Sequence, residues 1–214
     1  VNYSFGVRLE NTQVEGGFVE STNLLVDRNN TFLFPRANVN FTLAEKQSLN
    51  LSYVRSISRP NYSTAIVNTA FINPGLEFRG NINLKPTISR DISASYQFKN
   101  KSLTIRYFRN RNPVTFRFFY DNEDNISVMS PDNFDLEQGV DLGLYLPFKY
   151  KFWTSSSSLN FFSTRMEDTR SSEKKTQPYF YYYSNQEFKL SDKSVFSIYG
   201  WLLSNSSNGI FNRK

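Results

Sequence analysis

Three carboxylates stand within five residues at DNEDN, positions 121 to 125. Such a cluster can attract calcium, but a calcium loop spaces its oxygen ligands at alternate positions and closes on a bidentate Glu. This stretch lacks the full spaced pattern and the closing Glu, and it reads as a solvated turn. Glu10 and Glu15 lack the apolar setting that would raise a carboxyl pKa for acid–base work. The sequence contains no His and no Cys, which removes thiol nucleophiles, disulfides, His-dependent triads and nearly every zinc or haem site. No Gly-rich phosphate loop occurs. The expectation is a chain with no catalytic centre, no cofactor and no bound metal.

What chemistry remains is cationic. The net charge is +6, which suits an anionic partner, either nucleic acid or a lipid headgroup surface. A nucleic-acid binder gathers Lys and Arg into one stripe with exposed stacking rings. Here the positive residues scatter among strand ends, turns and loops, with Asp and Glu between them, so nucleic acid is not expected as a partner.

The elements that must position these charges are strands. Hydrophobic residues make up only 39% of the chain while aromatics reach 17%, a balance that suits strands oily on one face. No stretch approaches the ~18 apolar residues of a membrane helix. In RANVNFTLAEKQSLNLSYVR, Ala37, Val39, Phe41 and Leu43 share one parity and Asn38, Asn40 and Thr42 the other. After the polar AEKQ link, Leu49, Leu51 and Tyr53 oppose Ser48, Asn50 and Ser52. Period two on both sides of a tight link predicts a hairpin. The pattern recurs around KNK (99–101), PFKYK (147–151) and SDK (191–193), giving about nine strands and no helical period.

The links divide into two kinds. AEKQ, KNK, PFKYK and SDK are short, whereas 16–34, 56–87, the DNEDN tip and 168–176 are long or polar. Short turns at one end and long loops at the other are the arrangement of a transmembrane β-barrel, and the strands reach the ~9 residues a tilted membrane strand needs. The polar face (Asn38, Asn40, Thr42, Asn50, Ser52, Ser89, Asp91, Ser93, Ser95, Gln97) cannot build a sandwich core, so it must meet water or a polar plug. Parity is less clean towards the C-terminus. Ser155 and Ser157 share the oily parity of Leu159 and Phe161; Phe180, Tyr182 and Phe188 are assigned outward; SVFSIYGWL is ambiguous. Both ends fall abruptly, at VNYSFGVRLE and SNGIFNRK, and the chain reads as a piece of a longer protein. The fold expected is all-β: an antiparallel, up-and-down transmembrane barrel, with residues 1–214 as one partial barrel domain.

GVRLENT (6–12), FPRANVNFTL (34–43), LNLSYVRSISRPNY (49–62), GNINLKP (80–86) and RNPV (111–114) follow one another in this order. The succession resembles the barrel of the TonB-dependent outer-membrane receptors of Gram-negative bacteria, with Ile82 where that pattern usually has proline. The resemblance implies a bacterial outer-membrane location, a complete barrel of about twenty-two strands, and energy-coupled uptake of a scarce nutrient of the siderophore, glycan, peptide or cobalamin class. For the full-length parent it implies a plug domain, an energy-coupling protein and, in some systems, a surface lipoprotein lid. The motif residues at the rim are Arg59, Pro60, Tyr62, Gly80, Asn81, Leu84, Lys85 and Pro86. Arg59-Pro60 ends strand pairing because proline lacks a donor and restricts its predecessor. Gly80 and Asn81 allow a sharp turn, and Pro86 resets the chain before the next strand.

Continuing the outward parity towards the long-loop end reaches Arg55, Arg90, Arg109 and Arg165. In an outer membrane these would face lipopolysaccharide phosphates, which Arg grips in a bidentate way; pairing with loop carboxylates such as Asp168 is the competing expectation. A soluble or cell-surface all-β adhesin is the alternative function. It would stay in solution without detergent, and a barrel piece would not.

Overall fold

A computed structural model describes residues 1–17, 24–65, 68–170, 175–176, 178–208 and 211–213. The first part of the chain forms β1 (Asn2–Gly17), β2 (Leu24–Ala44), β3 (Gln47–Ser58), the single turn α1 (Tyr62–Ala65), β4 (Thr69–Asn73) and β5 (Leu76–Arg79). There follow β6 (Thr87–Phe98), β7 (Lys101–Arg111), β8 (Val114–Asp121), β9 (Ile126–Asn133) and β10 (Leu136–Tyr150). The last part holds β11 (Trp153–Glu167), β12 (Lys175–Thr176), β13 (Tyr179–Ser191), β14 (Ser194–Leu203), β15 (Ser206–Asn208) and β16 (Phe211–Arg213).

One sheet forms a wall in the order β1-β2-β3-β6-β7-β10-β11-β13-β14, with β12 attached to β11 alone. Every pairing in it is antiparallel. The nine strands expected from the alternation are the nine of this path. Its two outermost strands, β1 and β14, each have one neighbour, so the barrel is not closed by these residues.

The register explains why the two faces separate. Val39, Leu51, Ala94, Ile105, Leu142, Phe161 and Phe180 lie directly opposite one another across seven strands. One residue along, Asn38, Ser52, Ser93, Arg106 and Asp141 form the corresponding row on the other face. A one-residue slip would exchange oil for amide and hydroxyl along the whole row. The polar face then satisfies itself across strands: Asn38 and Asn50 exchange amide bonds at 3.1 Å, and the Ser52 and Ser93 hydroxyls meet at 2.7 Å. Arg106 donates to Asp91 at 2.6 Å and to Asp141 at 2.7 Å.

Several expectations are corrected by this register. PFKYK is no turn: Pro147 to Tyr150 complete β10, and the turn is Lys151-Phe152. Outward alternation simply continues through Phe148 and Tyr150, and Pro147 is tolerated because β10 pairs with β7 only as far as Tyr145. Residues 16–34 are largely strand, β1 and β2 remaining paired out to Gly17 and Leu24; residues 18–23 lie outside the described residues. DNEDN is the tip of the β8–β9 hairpin, which belongs to a second sheet, and the stretch 56–87 contains a helical turn and two strands. Ser155 and Ser157 do keep the oily parity, in unbroken register with β13, where Gln186 donates to Ser155 at 2.8 Å and Ser157 meets Ser184 at 3.0 Å. In β14, pairing places Phe196, Ile198 and Leu202 on the outward face beside Phe188, Gln186 and Tyr182.

Gly139 shows how closely the wall is packed. A Cβ there would lie 2.5 Å from the Ser163 carbonyl oxygen and 2.9 Å from the Phe108 ring. The backbone oxygen cannot retreat without parting β10 from β11. Gly139→Val is expected to destabilise the folded wall by roughly 1–3 kcal/mol, as overpacking does. Gly143→Ala meets only the Asn160 side-chain oxygen at 3.2 Å, and it should leave the denaturation midpoint of detergent-folded protein nearly unmoved. Equal midpoints for both variants would contradict this account.

The second sheet, β4-β5-β9-β8, is built from the two loops that connect β3 to β6 and β7 to β10. Its core is Val128, fully buried, with Pro131 and the edge-to-face pair Phe78 and Phe116. Within it β5 and β9 run parallel, Leu76 beside Ser127 and Phe78 beside Met129.

Candidate functional site

The short turns, at Glu45-Lys46, Lys99-Asn100, Lys151-Phe152 and Asp192-Lys193, share one end of the wall. The candidate site lies at the other end, where the second sheet caps the wall. Pairing of β2 with β3 stops at Arg36 and Val54, while β3 stays with β6 as far as Ser58 and Thr87. The wall therefore opens a seam between β2 and β3, and long side chains bridge it. Arg59 donates to Glu10 at 2.7 Å and to the Thr12 hydroxyl at 2.9 Å; Arg28 donates to the Leu84 carbonyl at 2.9 Å.

Behind the seam lies a cavity of about 780 Å³, within the 300–1,000 Å³ range of small-molecule sites. β1 and β2 contribute Val14, Val26, Arg28 and Phe32; Arg59, Pro60, Tyr62, Leu84 and Pro86 close it from the loop side. Five of the eight rim motif residues thus meet around one space. The other three hold the loop in shape. The Gly80 amide donates to the Asn68 carbonyl at 2.9 Å. Asn81 spans two loops, its backbone amide reaching the Thr64 carbonyl at 3.0 Å and its side-chain amide the Pro131 carbonyl at 3.0 Å. Lys85 exchanges backbone bonds with the Asn133 side chain at 2.7 and 2.9 Å. An apolar space with Arg28, Arg59 and Glu15 at its margin can hold an amphipathic molecule that carries charged or hydrogen-bonding groups. Phe32 and Arg28 were not legible as site residues, since neither parity of 26–34 is purely polar.

The cap is held by two charge clusters. Arg79 pairs with Glu77, with Asp121 at 2.5 Å and with Asp124 at 2.7 Å. The exposed DNEDN turn therefore also clasps an arginine of the neighbouring loop through Asp121 and Asp124. Arg117 pairs with Asp168 and with Asp132 at 2.9 Å, and Arg170 joins Asp132 at 2.9 Å. The Asp168 side chain is 1% exposed. Hydrogen bonding from Arg79, then from the Glu123 amide, holds the Asp121 carboxyl below its ordinary range. For Asp168, burial alone would raise the pKa, but the bonds from Arg117 and the Arg170 amide outweigh it and the net direction is downward. Each folded pKa is thus below the ~3.9 of an unfolded Asp, so each contribution to stability is full above that value and is lost as pH falls through the folded pKa. Acidification from about pH 5 to about pH 2 should raise amide exchange in 113–133, corrected for intrinsic rate, before it does so in β6 and β7. Parallel loss in cap and wall would contradict this.

Arg55, Arg90 and Arg109 stand directly opposite one another, and Gln138 and Arg165 extend the row. Arg165 pairs with Glu167 at 3.0 Å, whereas Asp168 is engaged by Arg117 and Arg170. Arg55 stands at the seam, its guanidinium carbon 6.0 Å from the centre of the Phe34 ring.

Comparison with known proteins follows the same geometry. The siderophore receptor PirA from Pseudomonas aeruginosa superposes with a TM-score of 0.55 at 14% identity, over 94% of this chain and 39% of the receptor. The siderophore receptor PirA from Acinetobacter baumannii gives a TM-score of 0.42 at 10% identity, over 94% and 38%. The chain thus spans well under half the length of either receptor. No curated protein matches it. The family model described as outer membrane protein beta-barrel family matches residues 1–214. With its oily outer face, polar inner face and full-length family match, the chain belongs to the outer membrane protein β-barrel family and resides in the bacterial outer membrane.

Proposed function

We propose that this chain is part of the barrel of a TonB-dependent receptor, and that the cavity behind the β2–β3 seam contributes to cargo contact at the outer mouth. The observation that carries the proposal is the convergence of Arg59, Pro60, Tyr62, Leu84 and Pro86 on one largely apolar space at the loop end of the wall. The order of sequence motifs and the similarity in fold to a siderophore receptor support it. A plug domain filling the polar side and an energy-coupling protein then belong to the full-length parent, as does any lipoprotein lid over the cap. The chain's own part is binding and passage, not chemistry on the cargo. Siderophores are the first cargo class to try, with glycan, peptide and cobalamin classes after them.

The test is uptake by cells that carry or lack the parent gene, with labelled cargo of each class, before and after collapse of the proton gradient. The expected result is gradient-dependent uptake of one class that disappears with the gene. Phe32→Trp, which fills the cavity, should weaken that uptake while barrel assembly is unchanged. Gene loss without effect on any gradient-dependent uptake would overturn the receptor assignment; undiminished uptake by a correctly assembled Phe32→Trp protein would overturn the role of the cavity.

A further inference from the structure

The arginine row raises an electrostatic question of its own. Directly opposed residues of an antiparallel sheet share a face, with Cβ atoms about 4.5–5.5 Å apart, and like charges so placed destabilise the sheet. Arg90 is opposed by Arg55 on one side and by Arg109 on the other. Among the described residues, only Arg165 of the four has a carboxylate within ion-pair distance. The Nε atoms of Arg55 and Arg109 are buried and have no hydrogen-bond partner. Three adjacent strands therefore present cations, two of them with an unpartnered Nε, that no other described residue neutralises.

The position of the row indicates what does. Two residues nearer the short turns, the same face carries Tyr53, Ile92, Tyr107 and Val140, with Ile92 55% exposed and Tyr107 41%. This is the face that meets lipid, and the row lies on its loop side, between the oily band and the cap. A ligand there must bring negative charge at one end and hydrocarbon at the other. Guanidinium groups side by side offer paired N–H donors that match phosphate oxygens. An arginine costs only about 0–1 kcal/mol near the interface, against about 2–4 at the bilayer midplane.

We propose that Arg90 and Arg109 form the centre of a binding site for the phosphate groups of an outer-leaflet glycolipid, with Arg165 farther along the row and Arg55 at the seam. Phosphate oxygens accept hydrogen bonds from the guanidinium groups and remove the repulsion between neighbouring strands. The acyl chains lie down the Ile92–Tyr107 face. The site needs only the barrel's lipid-facing surface and stands whether or not the receptor transports a siderophore.

The full-length parent, purified in detergent, should be titrated with lipid disaccharides carrying two, one or no phosphates and read by native mass spectrometry. Unmodified protein should bind the doubly phosphorylated lipid roughly tenfold or more tightly than the unphosphorylated one, as loss of charged hydrogen bonds implies. The double substitution Arg90→Gln with Arg109→Gln should abolish that preference, and Arg90→Lys with Arg109→Lys should keep part of it. Heat-modifiable gel mobility reports whether each variant is folded, and the phosphate comparison on unmodified protein needs no variant. Indifference of the unmodified protein to phosphate number would overturn the site, as would a folded Gln variant that keeps the preference. Displacement of the lipid by millimolar inorganic phosphate would show recognition of a free anion and overturn the lipid assignment.

Discussion

Ile105→Arg will prevent the barrel from assembling in lipid vesicles, or lower its stability there by about 2–4 kcal/mol, the cost of an arginine near the bilayer midplane. Ile105 is 45% exposed on the outward face and sits in the apolar row between Ala94 and Leu142. Unlike the arginines toward the loop end, a guanidinium here has oily rungs on both sides and no nearby headgroup to reach. Thr104→Arg is the matched control. It lies one residue away on the polar face, where it exchanges a hydroxyl bond with Ser95 at 2.9 Å, and its loss should cost about 1 kcal/mol. Folded fraction, read from heat-modifiable mobility after vesicle refolding, checks both. If the two variants refold alike, the assignment of lipid and lumen faces is wrong.

The second large effect concerns the cap. Asp168→Ala removes the one acceptor that joins the end of β11 to Arg117 of β8 and also receives Arg170. Breaking a buried pair by deleting one partner typically costs 3–5 kcal/mol. Arg117 keeps Asp132 at 2.9 Å, so the expected loss is near the lower end, about 3 kcal/mol. It should appear as faster protease cleavage within 113–133, with wall strands still protected. Adding Arg117→Met to Asp168→Ala should recover part of the loss, because a part-buried cation left with only one of its two carboxylates is then gone. Cleavage rates that do not change in Asp168→Ala would mean the cluster does not hold the cap.

The wall was legible because a barrel repeats one simple constraint. Asn38, Asn50, Ser52 and Ser93 against Val39, Leu51, Tyr53 and Ile92 leave only one parity to face lipid, and register then follows for every strand. Turn placement at Lys99-Asn100 followed for the same reason. PFKYK misled because Pro147 and two lysines imitate turn chemistry, while the deciding fact, that β10 has no β7 partner beyond Tyr145, is tertiary. The cap was invisible for a deeper reason. Its parallel pair joins Leu76 to Ser127 across an intervening hairpin, and no local periodicity encodes a pairing of that kind. The rim motif residues were found individually, but the cavity around them depends on the seam between β2 and β3, which no local pattern announces.

That parallel pair also imposes an order of events. Leu76 and Ser127 are separated by the whole β6–β7 hairpin, which closes through the two-residue Lys99-Asn100 turn. Closing a long loop is entropically costly until shorter contacts have drawn its ends together. The β6–β7 hairpin and its β3 and β10 neighbours must therefore zip first, and β5 meets β9 only once their anchors are in place. Among the described residues the β5–β9 pairing is thus expected to follow the wall, leaving those two strands open to mispairing until it forms.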